Sequence, residues 1–416
     1  MKRYRNFSSI NGNLQRAFLL SLQVKIIFFD MKRMITGCML LLLSCLQISA
    51  QRDNARSESM APLSRVESEK MMTAVVDQWK KDKQVLLRRD YEGMAIHHDT
   101  LELKLWKQLY GHAPAGDRSM YISMHGGGGV PPEVNNQQWN NQKYLYRPAE
   151  GLYVAPRAPV DAWNMWCQPG MDELLSKLIQ AAVVFDGVNP DKVYLMGYSA
   201  GGDGVWRMAP RMADTWAAAS MMAGHPGDVR LINLRNTPYM IWCGALDAAY
   251  DRNKLDRERG LQMDSLQKAD PEGYIHETHI VEGKPHWMDR VDTLAVSWMA
   301  QYQRNPYPKK IVWGQEEVLH QHFYWLTAPQ EELARYKTVR LEVKDNRIDI
   351  SECGYTHLTL WLNDELVNLD KKVGVYYQGR KLFKGKLKRT RANIQQSMRE
   401  RDDIRYVFPA RVEVKM

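Results

Sequence analysis

An apolar, strand-like run that stops abruptly in Gly197-Tyr198-Ser199-Ala200-Gly201 constrains this chain more than any other feature. The residues before it, Lys192-Val193-Tyr194-Leu195-Met196, favour a strand, and a further glycine, Gly202, follows. Glycines two residues to either side of a serine remove the Cβ atoms where a backbone must double back. The segment therefore predicts a sharp strand-to-helix turn with Ser199 strained and exposed at its apex.

Upstream, Met120-Tyr121-Ile122-Ser123 reads as a strand running into Met124-His125-Gly126-Gly127-Gly128-Gly129. Chemistry that builds negative charge on a carbonyl oxygen is best served by pre-aimed backbone N–H donors, and bare glycine backbone can approach such an oxygen closely. The donors expected are the amides of Ala200 and of Gly126 or Gly127. Downstream, Pro238-Tyr239-Met240-Ile241-Trp242-Cys243-Gly244 is another strand entering a turn, with Asp247 just beyond. A later strand, His276-Glu277-Thr278-His279-Ile280-Val281, leads into Gly283-Lys284-Pro285-His286-Trp287. Ser199, Asp247 and His286 each follow a predicted strand, where a parallel sheet presents its loops to ligand. In those roles His286 is the general base and Asp247 fixes its tautomer. Asp251 is a rival for the acid, and Asp203, expected in the first turn after Ser199, is a weaker one.

In 416 residues, 44% hydrophobic and 10% aromatic, there is enough apolar side chain for a substantial core and more than one domain. The formal charge of +9 is a mild basic bias with part of it in the N-terminal segment. No nucleic-acid recognition motif accompanies it, so no nucleic-acid partner is expected. His320 and His322 form a His-x-His pair, but no acidic or thiol partner stands at ligand spacing, and neither a metal nor another cofactor is expected.

Residues 1–50 read as a targeting segment. Met31-Lys32-Arg33 supplies a positive start, residues 34–43 are largely apolar, and Ile48-Ser49-Ala50 precedes Gln51 as a cleavage site would require. The expectation is a signal peptide from Met31, with residues 1–30 a mis-assigned start, and a secreted or periplasmic protein. The alternative reads Leu42-Leu43-Ser44-Cys45 as a lipobox, with Cys45 carrying a lipid anchor at the membrane. No segment after these is long and apolar enough to span a bilayer. Beyond the signal, Cys167, Cys243 and Cys353 allow at most one bridge, so stability is expected to come from the core.

Strand and helix patterns alternate from an early strand over Ile96 to Trp106 onward to Tyr302, which predicts a mostly parallel sheet with helices on both faces. After Asn305-Pro306-Tyr307-Pro308 the pattern changes to short period-two strands, as in Val339-Arg340-Leu341-Glu342-Val343, which predicts a small all-β module, a sandwich. The division expected is a targeting segment over 1–50, a helical extension over 51–95, an α/β domain over 96–327 and a β-rich module over 328–416. Residues 131–145 read as a long, amide-rich loop, and a second loop carries Trp163 and Trp166. Flat aromatic faces and amides suit polar, ring-shaped ligands, so Trp139, Asn140, Trp163, Trp166 and Trp287 are the substrate-binding candidates. The basic run from Arg380 to Arg391 is read as a solvated strand face, with acidic polysaccharide or a membrane surface as the alternative.

These motifs resemble the secreted serine esterases of the α/β-hydrolase superfamily. The likeness is to the branch of polyhydroxybutyrate depolymerase-like and feruloyl-esterase-like proteins, which borders the prolyl-oligopeptidase-type peptidases. It covers roughly residues 101–306, and is carried by Gly197-Tyr198-Ser199-Ala200-Gly201-Gly202-Asp203-Gly204-Val205-Trp206 and by His286-Trp287-Met288. The resemblance implies an α/β-hydrolase fold and cleavage of an ester or peptide bond through an acyl-enzyme. No upstream propeller and no cysteine-rich framework accompany it, which departs from typical prolyl oligopeptidases and from some secreted depolymerases. The expected function is a serine hydrolase of carboxylic esters, carbohydrate-linked or aryl, acting on a small-molecule or oligosaccharide ester. The alternatives are a serine peptidase of prolyl-oligopeptidase type and a non-catalytic carbohydrate-binding or scaffold protein on the same fold.

Overall fold

Alternating apolar residues at Leu103 and Leu105 bury one edge of a sheet that the rest of the first two-thirds of the chain completes. A computed structural model describes residues 59–416. The targeting segment, the Cys45 anchor and the residues up to 58 lie outside the described residues. Residues 62–416 form one compact unit.

The unit begins with α1 (Arg65–Glu92), started by a capping box in which Ser64 and Glu67 exchange side-chain and backbone hydrogen bonds. Its strands are β1 (Ala95–His98), β2 (Leu101–Tyr110), β3 (Arg118–Met124), β4 (Gly151–Arg157), β5 (Val188–Tyr198), β6 (Ala218–Met222), β7 (Tyr239–Gly244) and β8 (His276–Val281). They lie in the order β1-β2-β4-β3-β5-β6-β7-β8, antiparallel from β1 to β4 and parallel across β4-β3-β5-β6-β7-β8. The intervening helices are α2 (Pro132–Gln142), α3 (Met171–Phe185), α4 (Ala200–Arg211), α5 (Arg252–Ala269) and α6 (Leu294–Met299). This is the α/β-hydrolase fold.

Both faces of the sheet are covered, so most residues of its central strands are buried rather than alternate ones only. Met120, Ile122, Val193 and Leu195 pack with Leu174, Val205 and Met263 under α3, α4 and α5. Tyr121, Tyr194, Met196 and Tyr198 pack on the opposite face with Ala295, Val296 and Met299 of α6. The strand order reverses beside β3 and β5, which opens a crevice at their C-terminal ends. The glycine run and Ser199 both emerge there.

The later strands are β9 (Lys310–Gly314), β10 (His322–Phe323), β11 (Leu326–Thr327), β12 (Thr338–Lys344), β13 (Arg347–Cys353), β14 (His357–Leu362), β15 (Val373–Tyr377), β16 (Arg380–Gly385) and β17 (Ala410–Lys415). They form a five-stranded sheet, β16-β15-β13-β12-β9, and a four-stranded sheet, β10-β11-β14-β17, over one shared core that includes Val339, Ile348, Leu358 and Val412. Because β9 already pairs with β12, the β-rich part begins at Lys310, ahead of the boundary expected at 328. It also contains a helix, α7 (Arg391–Arg401).

Helix α1, which falls in the helical extension expected over 51–95, packs on both parts. Trp79 packs with Ile394, Met398 and Val407 and donates its indole N–H to Asp402 at 2.7 Å, while Leu87 and Tyr91 join the core under the sheet. Arg304, with only 2% of its side chain exposed, bridges Asp191 and Asp403 across the same seam. The basic run near β16 is partly internal: Arg389 is buried and pairs with Asp364 and Asp370.

Residues 131–145 are not a loop, since α2 fills most of the stretch. Its missing apolar rhythm hid it, for only Asn135 and Gln142 are buried along it. Pro132 at its first position suits helix entry, because that N–H would be unpaired in any case.

Candidate active site

Ser199 stands between β5 and α4 with φ 58° and ψ −122°, a left-handed conformation costly for any residue with a Cβ. The turn is held by close packing. A Cβ on Gly201 would come 2.1 Å from the carbonyl oxygen of Met124, and one on Gly197 would come 2.4 Å from that of Gly201. The Ser199 amide donates to the Met222 carbonyl at 2.8 Å, so β6 helps fix the apex.

The three loops expected to converge do so. The Ser199 hydroxyl donates to His286 Nε2 at 2.9 Å, and His286 Nδ1 donates to Asp247 Oδ2 at 2.7 Å. Asp247 is 2% exposed, and its other oxygen faces the Arg252 guanidinium at 3.5 Å. The two rivals are elsewhere. Asp251 is exposed and pairs with Lys254 at 2.8 Å. Asp203 accepts the His225 amide at 2.6 Å, and burial raises its pKa above the ordinary carboxylate value.

Gly126 lies against Ser199, where a Cβ would come 3.1 Å from that of the serine. Among the described residues neither the Gly126 nor the Gly127 amide donates a hydrogen bond. Ala200 opens α4, where the first N–H groups of a helix have no intrahelical acceptor. Free donors therefore border the serine from two directions.

Two buried polar residues hold the glycine run. Asn135 of α2, fully buried, accepts the Gly128 amide at 2.9 Å and donates to the Gly128 carbonyl at 2.9 Å and to Asp161 at 2.7 Å. His125, also fully buried, donates from Nδ1 to the Gly126 carbonyl at 2.6 Å and accepts the Ala158 amide on Nε2 at 3.0 Å. These bonds require the neutral ring, and burial depresses its pKa to about 4. The sequence reading passed over both residues; a polar side chain beside a glycine run was the signal available.

Tyr198 was missed as well. Its hydroxyl donates to the His286 carbonyl at 2.5 Å and accepts the Met288 amide at 3.3 Å, and its ring meets the imidazole edge-on at 5.9 Å. The residue before Ser199 thus grips the loop that carries His286.

A cleft of about 570 Å³ opens beside the serine, lined by Gly126, Gly127, Tyr198, His286, Trp287 and, from α2, Gln138, Asn141 and Gln142. Of the candidate binding residues, Trp287 lines this cleft. Trp163 is exposed beside the glycine run. Trp166 is not available to a ligand: it is 1% exposed and donates its indole N–H to the His125 carbonyl at 2.9 Å. Trp139 donates to the Ala155 carbonyl at 2.9 Å and packs on the sheet, and Asn140 is turned to solvent, where it accepts from Lys143 at 2.8 Å. Helical periodicity separates them from the cleft-lining face of α2.

His320 and His322 do not share a ligand position. His320 pairs with Asp172 at 2.9 Å, and His322 meets Thr327 at 2.8 Å. Cys167, Cys243 and Cys353 are free. Among the described residues no helix is long and apolar enough to cross a membrane.

No family model matches the chain, and no curated protein matches it. Among solved structures it is similar to a thermostable esterase, at 16% identity and a TM-score of 0.38, over 50% of this chain and 62% of that one. It is similar to an S-formylglutathione hydrolase (FrmB) from Staphylococcus aureus, at 13% identity and a TM-score of 0.34, over 50% of this chain and 94% of that one. An acetyl xylan esterase from Aspergillus awamori is similar at 12% identity and a TM-score of 0.33, over 47% of this chain and 93% of that one.

Proposed function

We propose that this protein is a serine hydrolase of carboxylic esters, acting on carbohydrate-linked or aryl esters through an acyl-enzyme. The observation that carries the reading is the unbroken relay from Ser199 through His286 to Asp247, at 2.9 and 2.7 Å, beside unpaired backbone N–H donors.

In this mechanism the Ser199 hydroxyl attacks the ester carbonyl while His286 Nε2 takes its proton. The Asp247 carboxylate holds Nδ1–H and stabilises the imidazolium. Negative charge on the carbonyl oxygen is met by the amides of Ala200 and of Gly126 or Gly127, donors that need no rearrangement as the charge appears. His286 then passes the proton to the departing alcohol, leaving the acyl group on Ser199. Water, deprotonated by the same nitrogen, attacks that ester, and the acid departs with the serine restored. No cofactor takes part in this sequence. The targeting pattern of residues 1–50 supports action outside the cytoplasm, as a secreted or periplasmic enzyme or as one anchored through Cys45.

Fluorophosphonate labelling with peptide mapping tests the proposal, alongside turnover of short p-nitrophenyl esters. Adduct formation on Ser199, and loss of turnover in Ser199→Ala, are expected. Undiminished turnover in Ser199→Ala would overturn it, and preference for a peptide panel would make the enzyme a peptidase.

A further inference from the structure

Two large aromatic side chains stand in solvent beside the catalytic cleft without lining it. Trp163 is 64% exposed and Tyr250 is 60% exposed, and they meet edge to face with ring centroids 6.0 Å apart. They come from loops distant in sequence, and both loops belong to the site. Trp163 lies on the glycine run, so close that a Cβ on Gly129 would come 2.9 Å from its indole nitrogen. Tyr250 follows Asp247 in the loop that carries the acid.

Tyr250 is held in this position at a cost. It and the next residue, Asp251, adopt left-handed conformations with φ of 56° and 57°, which L residues enter rarely. The Arg252 guanidinium lies 5.0 Å from its ring centroid and also faces Asp247, so the ring is tied to the acid. Leu246, in the same loop, is 62% exposed. Burial of such side chains would be favourable, and backbone strain combined with exposed apolar surface at the edge of a reaction site marks a surface used by a ligand.

We infer that Trp163 and Tyr250 form a stacking subsite for a sugar ring in the alcohol part of the substrate, which is therefore an oligosaccharide ester extending beyond the cleft. The inference deepens the esterase reading and rests on it. A pyranose presents apolar C–H faces to an aromatic ring and hydroxyls around its edge. The cleft supplies partners for hydroxyls: Gln138, whose side chain makes no hydrogen bond among the described residues, and Asn141. A small aryl ester would leave the aromatic pair unused.

The test uses the Ser199→Ala protein, in which bound ester persists, and calorimetric titration with acetylated cello-, xylo- and manno-oligosaccharides and the matching acetylated monosaccharides. Saturable binding of an oligosaccharide in the panel is expected, tighter than that of its monosaccharide. Adding Trp163→Ala or Tyr250→Ala should weaken it roughly tenfold or more, while Trp163→Phe restores most of the affinity. Near-UV circular dichroism checks that each variant is folded, and two independent variants guard against a local collapse at one of them. No binding by any oligosaccharide, or affinity in both alanine variants equal to that of the Ser199→Ala parent, overturns the subsite. Fluorophosphonate labelling of Ser199 in the wild type separates the two failures, since a labelled enzyme without the glycan effect keeps the esterase reading and loses this one.

Discussion

Removing one oxygen atom from Tyr198 tests whether the nucleophile strand and the histidine loop act as a single unit. Tyr198→Phe keeps the ring that meets His286 at 5.9 Å and Trp287 at 5.7 Å. It deletes the hydroxyl that donates to the His286 carbonyl and accepts the Met288 amide. The bond to the carbonyl is worth about 1 kcal/mol net, as for other neutral pairs. Met288 is fully buried, so its amide loses an acceptor that water cannot easily replace, at a cost of about 1 kcal/mol more. A loss of roughly 2 kcal/mol in unfolding free energy is expected, seen as a lower urea midpoint at unchanged slope. If half of that energy holds the imidazole in line with Ser199, kcat falls about fivefold. KM should change little, because the ring still lines the cleft. Burial raises the Tyr198 pKa well above that of a free phenol, so its hydroxyl stays protonated and the defect is the same across neutral pH. The assay is steady-state hydrolysis of p-nitrophenyl acetate over a pH series, beside urea unfolding. The full stability loss with kcat within twofold of wild type would refute the coupling.

Two further predictions follow from other buried polar groups. Asn135→Asp keeps the shape but sets a carboxylate against the Gly128 carbonyl and Asp161, where the amide now donates. It should cost on the order of 2 kcal/mol in stability and lower kcat by tenfold or more through the glycine run, measured by thermal unfolding and ester turnover; wild-type kcat in a folded variant would count against Asn135 as the clasp. Burial lifts the Glu316 carboxyl from its ordinary 4.5 to about 7, and both its oxygens lack hydrogen bonds among the described residues. Between those pH values the unfolded chain has released a proton that the folded chain keeps, so stability falls as pH rises through that window. Glu316→Gln should therefore raise the unfolding free energy by on the order of 1–3 kcal/mol at pH ~8 and leave it unchanged near pH ~4, where both states are protonated; an equal gain at both values would contradict the assignment.

The mostly parallel sheet and the three loops of the site were legible because each rests on local chemistry. Glycines flank Ser199 since the turn has no room for a Cβ, and that need is written into five consecutive residues. Apolar runs of strand length between helical rhythms announce a parallel sheet whatever their exact partners. What was less legible depends on packing. Helix α2 was read as a loop because nearly its whole surface is polar, so it lacks the apolar stripe that marks a helix. Strand β9 was left outside the β-rich part because one short apolar segment does not reveal which sheet it will join.

The sequence by itself determined that a strained serine, an acid and a histidine would emerge in order from the C-terminal edge of one sheet. Only the tertiary structure shows which of Asp203, Asp247 and Asp251 lies against His286 Nδ1, because that depends on contacts made in space. It alone turned Trp166 inward and left Trp163 outward, although both sit in one short, similar loop. It also gave Tyr198, His125 and Asn135 their tasks. Their hydrogen bonds join segments brought together by the sheet, and no spacing along the chain encodes a contact that exists only after the strands have paired.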